Sequence, residues 1–313
     1  MKIIRPKKLN KGDLIGIISP ASSADDLSKV ETGVNYFEKL GYKIEVGKNV
    51  GKSQGYLAGS NEERVNDLHY MFKKKEVKAI ISIRGGYGST RLLDKIDYNI
   101  VRKNPKIFVG YSDITALQMA FFTKAGLVTF AGPMVAVDFH NEIDPSAEEN
   151  FWKMITSNKK VGKVSCPNDE RIFQLTKGDK SGRVIGGNLS LITSLVGTKF
   201  LPQMKDKILL LEEIGEAPYR IDRMLNQLRL NKVFNQVSGI ILGTFVDCNE
   251  KDPTKKTLTL SEVIEEYLAQ LKIPIVYNFR HGHIKDNITV PLGINVRVNA
   301  NKSCVEYLEA AVN

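Results

Sequence analysis

Four short apolar runs dominate the first half of the chain: LIGIISP (14–20), VKAIISI (77–83), KIFVG (106–110) and VTFAG (128–132). Each stops at Gly, Pro or a glycine-rich turn, and longer segments with helical spacing lie between them. Runs of this length bounded by turn residues read as buried strands. Strands that are apolar throughout, and separated by helices, belong to a parallel sheet covered on both faces, because parallel neighbours need a long crossover. Between the first two runs, Leu27, Val30, Val34, Phe37 and Leu40 share one side of a helix predicted over 25–40, and Gly41 follows as its stop. YKIEV (42–46) adds a short strand and 61–75 a second helix. A helix predicted over 113–125 ends at Gly126.

The pattern changes at NKKVGKVSCPNDERIFQLTKGDKSG (158–182), which is polar, Lys-rich and full of turn residues. Residues 161–182 are therefore expected to link a domain over 1–160 to one over 183–313. In the latter, KILLLEE (207–213) and GIILG (239–243) read as buried strands, with helices predicted over 218–231 and 261–271. The closing stretch, NITVPLGINVRVNANKSCVEYLE, alternates and carries turn signals, as strands do. The fold class expected is α/β: an N-terminal parallel-sheet α/β domain and a C-terminal β-rich α/β domain.

Lys and Arg number 45 against 35 Asp and Glu, a net charge of +10. The cations are scattered, and the densest group, KKKEVK (73–78), closes a predicted helix, where positive charge suits the dipole. No aromatic residues interleave with them as in single-strand binders, so a nucleic-acid partner is not expected. Cys166, Cys248 and Cys304 lie far apart with no CxxC pair, which argues against a disulfide framework. MKIIRPKKLNKGD lacks the apolar core and cleavage site of a signal peptide. No run reaches the roughly 18 apolar residues of a membrane helix. A reducing, cytoplasmic setting with no membrane partner is the expectation.

Several stretches could carry chemistry. In RGGYG (84–88), Gly85 and Gly86 follow a strand and would let backbone N–H groups face an anion or oxyanion; equally they could form a plain tight turn. The dinucleotide fingerprint fails there, because its third glycine position holds Arg91. GKNVGKS (47–53) has three residues where a phosphate-binding loop needs four, and reads as a polar loop. At Gly110-Tyr111-Ser112-Asp113 a strand meets a helix, the junction at which an elbow can expose a nucleophilic serine. The G-x-S-x-G pattern is only partly met, with Ile at 114, and a serine in this place can also simply cap the helix.

A serine nucleophile needs a base, and the base an orienting carboxylate. Of four histidines, His69 falls within a helix, His140 follows the fifth strand, and His281 and His283 sit together in FRHGHIKDN. That HxH spacing would also suit a metal, but Asp286 is the only carboxylate near it, so no metal site is expected. Among the acids, Glu212 and Glu213 end a very apolar strand, where alternation sends them to opposite faces, and Glu216 lies in the loop beyond.

Taken together, these pieces resemble the LD-carboxypeptidase family, serine peptidases of murein recycling that include microcin-immunity hydrolases. The resemblance spans nearly the whole chain: SPAS (19–22), IRGGYGSTRLL (83–93), GYSDIT (110–115), TFAGPM (129–134), IGGNLSLITSLVGT (185–198), LEEIGEAPYRIDRML (211–225), ILGTF (241–245) and GHIKDNITVPLG (282–293). It implies a Ser–Glu–His triad of Ser112, Glu212 and His283. It also implies an oxyanion hole from the N–H groups of Asp113 and the Gly85–Gly86 turn, no cofactor or metal, and a site between two domains. The implied substrate is a murein tetrapeptide ending in D-alanine, and the implied partner a second copy in a homodimer. His281 and Glu213 stand beside the matched residues as alternatives. Microcin-type relatives tend to carry a longer, aromatic-bearing loop near the glutamate, whereas Trp152, the sole Trp, lies elsewhere.

Overall fold

The structure, a computed structural model, describes residues 2–164 and 171–313; Cys166 lies outside them. The first half runs β1 (Leu14–Ile18), α1 (Leu27–Lys39), β2 (Lys43–Val46), α2 (Asn61–Lys73), β3 (Val77–Ser82), α3 (Tyr98–Lys103), β4 (Ile107–Gly110), α4 (Thr115–Ala125), β5 (Thr129–Ala131) and α5 (Pro145–Thr156). The second runs β6 (Gly162–Lys163), β7 (Phe173–Thr176), β8 (Asp179–Asn188), α6 (Leu189–Ser194), β9 (Lys207–Ile214), α7 (Pro218–Leu230), β10 (Gly239–Val246), α8 (Leu260–Leu268), β11 (Ile275–Tyr277), β12 (Val290–Leu292), β13 (Asn295–Asn299) and β14 (Cys304–Tyr307).

Local chemistry sets the helix ends. Asp26 accepts from the Ser28 N–H to start α1, and Ser60 with Glu63 forms a reciprocal capping box on α2. Gly126, at φ +72°, closes α4 in the left-handed conformation that glycine adopts without strain. The helix expected from 113 instead begins at Thr115, after a single 3-10 turn over Ser112–Ile114. Ser112 itself, at φ +62°, stands in the left-handed region just before it.

Two sheets organise the chain. The first has the order β2-β1-β3-β4-β5-β12, parallel except for β12, which runs antiparallel to β5. Its last strand thus comes from residues 290–292, far along the chain. The second has the order β6-β14-β13-β8-β9-β10-β11-β7, with β8 to β11 parallel and the outer strands antiparallel. Of residues 161–182, expected as a linker, the described ones include β6, β7 and the opening of β8, all strands of this second sheet.

Helix α4 binds the sheets together. All but two of its residues are buried, Thr123 and Lys124 being the exceptions, because it packs on β5 on one side and on β8 and α6 on the other. A helix buried all round need not be amphipathic. Among the described residues no helix is long and apolar enough to cross a membrane. Cys248 and Cys304 are free thiols.

Candidate active site

In a sheet ordered 2-1-3-4-5, the connections leave β1 and β3 towards opposite faces, and the crevice outside their C-terminal ends is where open α/β sheets hold ligands. Three turns emerge there: Pro20–Ser22 after β1, Arg84–Gly88 after β3, and Tyr111–Asp113 after β4. Ser112 stands on the last of them. Its left-handed backbone costs roughly 1–2 kcal/mol for a residue with a Cβ, a conformation that lifts the side chain away from the sheet as a nucleophile elbow does.

The glycine turn reaches this serine directly. A Cβ added to Gly85 would stand 3.1 Å from Ser112 Oγ and 3.2 Å from the Asp113 nitrogen. Only a residue without a side chain permits that approach. The turn is fixed at many points. The Ser22 N–H donates to the Gly85 carbonyl at 3.2 Å, and the Tyr87 N–H donates to Ser22 Oγ at 3.0 Å. The Asp113 carboxylate accepts from the Gly88 and Ser89 N–H groups at 3.2 and 2.8 Å. Burial pushes the Asp113 carboxyl up from its ordinary range, against the pull of those donors. Among the described residues, the N–H groups of Gly85 and Gly86 make no hydrogen bond. They remain open donors beside Ser112.

The second sheet and the loop after β11 bring carboxylates and histidines together. β9 sends Glu212 and Glu213 to opposite faces, and their environments differ. Glu213 is taken up by structure: it accepts from Asn188 Nδ2 at 2.8 Å, from the Ser190 N–H and hydroxyl at 2.8 and 2.6 Å, and from the Ile214 N–H at 2.9 Å. It thereby holds the start of α6. Glu212 is fully buried, and its Oε2 lies 2.9 Å from His283 Nδ1. Glu216 forms an exposed pair with Arg220.

The two neighbouring histidines divide in the same way. His281 is fully buried, with Nδ1 on the Ile288 carbonyl at 2.8 Å, and burial holds its pKa down. Its own carbonyl accepts from the Thr244 N–H at 2.9 Å, which anchors the loop to β10. His283 is half-buried. Gly282 between them has φ +137°, and a Cβ there would stand 2.4 Å from Thr244 Oγ1 and 3.1 Å from Glu212 Oε2. The Gly-His pair is thus what lets the ring reach the buried acid. The metal-like HxH spacing puts the rings to separate uses, and Asp286 is engaged in a two-pronged ion pair with Arg280.

The two halves meet at Tyr111. Its ring lies edge-on to His283, with centroids 5.1 Å apart, and its hydroxyl hydrogen-bonds Asp138. Asp138 also accepts from the Met134 N–H at 2.7 Å, yet burial raises its pKa to about 6. Thr115 Oγ1 accepts from the Asn188 N–H at 3.2 Å, tying the start of α4 to the end of β8. Tyr111, the residue before Ser112, thus brings the turn after β4 against the His283 ring in the loop between β11 and β12. Among the described residues no hydrogen bond joins Ser112 Oγ to His283, a bond that commonly tightens only when substrate is bound. The other histidines lie apart: His69 accepts from the Asp97 N–H at 3.0 Å, and His140 lies near Asp26 and Lys29.

Sequence reasoning missed Tyr111, Asp138, Ser22 and Arg64. Arg64 alone carried a signal: it stands one turn before Leu68 on the apolar stripe of α2, where a charge must have a partner.

Models of the LD-carboxypeptidase N-terminal domain and C-terminal domain match residues 15–132 and 181–298. The chain belongs to the LD-carboxypeptidase family. A "Probable murein peptide carboxypeptidase" of Bacillus subtilis is 39% identical, over 99% of this chain and 95% of that one. Among solved structures, the microcin C7 self-immunity protein MccF, as an inactive mutant in its apo state, superposes with a TM-score of 0.90 at 29% identity, covering 99% of both chains. The muramoyltetrapeptide carboxypeptidase of Oxalobacter formigenes superposes with a TM-score of 0.81 at 28% identity, over 94% of this chain and 97% of its own. The fold of the family, two sheets flanked by helices, is the fold described above.

Proposed function

We propose that this member of the LD-carboxypeptidase family is a serine peptidase that releases the terminal D-alanine from a murein tetrapeptide. The observation that carries the proposal is the buried Glu212 carboxylate 2.9 Å from His283 Nδ1, on a ring that meets Tyr111 beside Ser112. In this reading Ser112 Oγ attacks the carbonyl carbon of the L,D-amide and His283 Nε2 takes its proton. Glu212 fixes the imidazole tautomer and stabilises the imidazolium. The oxyanion is met by the N–H groups of Asp113, Gly85 and Gly86. His283 then protonates the leaving D-alanine amine, and water hydrolyses the ester. No step calls for a metal. Residues 1–160 would form the domain carrying the nucleophile and 183–313 the domain carrying acid and base, in a cytoplasmic homodimer.

Purified protein given a murein tetrapeptide in the presence of a chelator should release free D-alanine, and Ser112→Ala should abolish the release while remaining folded. Full activity in Ser112→Ala overturns the assignment. A second reading, hydrolysis of a peptidyl-nucleotide amide as in microcin immunity, draws on the 0.90 TM-score to the self-immunity protein. Against it, only three residues, 215–217, separate β9 from α7, and Trp152 is occupied elsewhere, stacked on Tyr42 and donating to the Tyr36 hydroxyl. Assaying both substrates side by side decides between the two.

A further inference from the structure

We infer that Arg64 is a positioning residue for the oxyanion hole, acting with the Asp113 carboxylate as a clamp on the glycine turn. The inference rests on the serine-peptidase reading of the site. Arg64 is 1% exposed, the largest fully buried side chain among the described residues. A buried guanidinium is costly unless its donors are used. Here both terminal nitrogens find acceptors, two of them carbonyls of the turns after β1 and β3, while Nε has no hydrogen-bond partner among the described residues. One nitrogen, Nη1, donates to the Pro20 carbonyl and to the Gly88 carbonyl, both at 2.8 Å, and Nη2 donates to Asn61 Oδ1 at 2.6 Å. Pro20 follows β1 and Gly88 follows β3, so one nitrogen bridges the two turns on either side of the switch point.

Gly88 is gripped from both ends of its peptide units. Its carbonyl accepts from Arg64 while its N–H donates to Asp113 Oδ1 at 3.2 Å. Asp113 in turn is the residue after Ser112, and its own nitrogen lies against Gly85. The covalent link Ser112-Asp113, the Asp113 carboxylate, the Gly88 peptide and Arg64 thus form one chain of contacts from the nucleophile to the far side of the turn. A Cβ on Gly88 would stand 2.9 Å from Arg64 Nη1, so the guanidinium packs directly against the glycine backbone. The clamp fixes the far end of the turn, and Ser22 fixes the Gly85 carbonyl, so the Gly85 and Gly86 N–H groups are left held but unbonded. That is the state an oxyanion hole requires before substrate arrives.

The test uses the full chain with two readouts. A fluorophosphonate probe reports on the hole without the peptide: Ser112 Oγ displaces fluoride at phosphorus, its proton passes to His283, and the phosphoryl oxygen occupies the oxyanion position. Arg64→Met should slow labelling about 100-fold, the scale of losing one oxyanion donor, and Arg64→Lys should restore part of the rate. On the tetrapeptide, kcat should fall in parallel while KM moves less than about threefold, since the lost interaction belongs to the transition state. Labelling of folded Arg64→Met at the wild-type rate overturns the inference, as does a loss confined to KM. Should Arg64→Met fail to fold, Arg64→Lys decides, because its shorter donor cannot span both carbonyls in the same geometry and must still slow labelling. Wild-type labelling without D-alanine release would instead count against the tetrapeptide reading and leave the clamp tested.

Discussion

Replacing Glu212 by Gln changes one atom and removes one charge. The carboxylate is fully buried, its Oε2 sits 2.9 Å from His283 Nδ1, and its Oε1 has no hydrogen-bond partner among the described residues. At that separation, and with an effective dielectric constant near 20, a carboxylate and an imidazolium attract by about 6 kcal/mol. In the proposed mechanism the imidazolium forms when His283 takes the serine proton, so the attraction belongs to the transition state and the intermediate. Losing it all would slow the reaction by about four powers of ten, at about 1.4 kcal/mol per tenfold. The amide adds a second fault: if its NH2 turns towards Nδ1, it stabilises the tautomer with the proton on Nε2, which cannot act as base. Steady-state D-alanine release should therefore show kcat reduced by about 10⁴-fold, with KM little changed. The control is Glu213→Gln. It loses acceptor capacity for the donors of Asn188, Ser190 and Ile214, so unfolding should become easier by about 1–3 kcal/mol while kcat of the folded protein stays within a fewfold of wild type. A Glu212→Gln enzyme within tenfold of wild type, or a reversed order of the two variants in kcat, would refute the assignment of acid and structural roles to the two faces of β9.

Three further outcomes are expected. Ser112→Gly and Ser112→Ala should both be inactive, but the glycine variant should be more stable than the alanine variant by about 1 kcal/mol in denaturant unfolding, since only glycine adopts a φ of +62° freely; equal stabilities would argue against a strained elbow. Gly85→Ala places a methyl 3.1 Å from Ser112 Oγ and should lower kcat at least about tenfold with the fold intact by circular dichroism; unchanged kcat would remove the turn from the site. Asp138, with its pKa raised to about 6 by burial, favours the folded state when protonated, so its contribution is full below its ordinary value near 3.8 and is lost as pH rises through 6. Asp138→Asn should therefore match wild type near pH 4 and exceed it by about 2 kcal/mol near pH 8, once partial exposure is allowed for; a gap that does not change with pH would contradict the burial of that charge.

Periodicity made the first sheet legible because each of its central strands is buried on both faces and reads as an unbroken apolar run. β12 was not legible as part of it: VPL joins β5 only because the chain returns from the second sheet, and no local pattern records a partner about 160 positions away. The strands within 161–182 were hidden by their place at or near the sheet's edges, where side chains such as Lys163, Phe173 and Gln174 stay exposed and turn residues crowd around them. At the site, alternation along LLLEE predicted that Glu212 and Glu213 part company, but not which face held the histidine. Hydrogen bonding separates His281 from His283 in the same way, since both belong to one loop and differ only in what lies behind each ring.

Arg64 and Glu212 show what the two sheets contribute to one crevice. Each is a charge buried to near completion, and each would be expensive to hold there without partners. Arg64 uses its charge on carbonyls of two turns of the first sheet, and so acts on where donors stand. Glu212, on the second sheet, uses its charge on the His283 ring, and so, in the proposed mechanism, acts on where a proton goes. The two meet only across Tyr111 and Ser112, at the start of a helix lodged between the sheets. Disturbing either group should therefore leave the other's work intact. Arg64→Lys combined with Glu212→Gln should lose activity by close to the product of the single losses if the sheets act independently through a shared intermediate, and by no more than the larger single loss if proton transfer and oxyanion binding fail as a unit. The separation of the two networks by Tyr111 favours the first outcome, and a double variant no slower than Glu212→Gln alone would show that the crevice works as one piece.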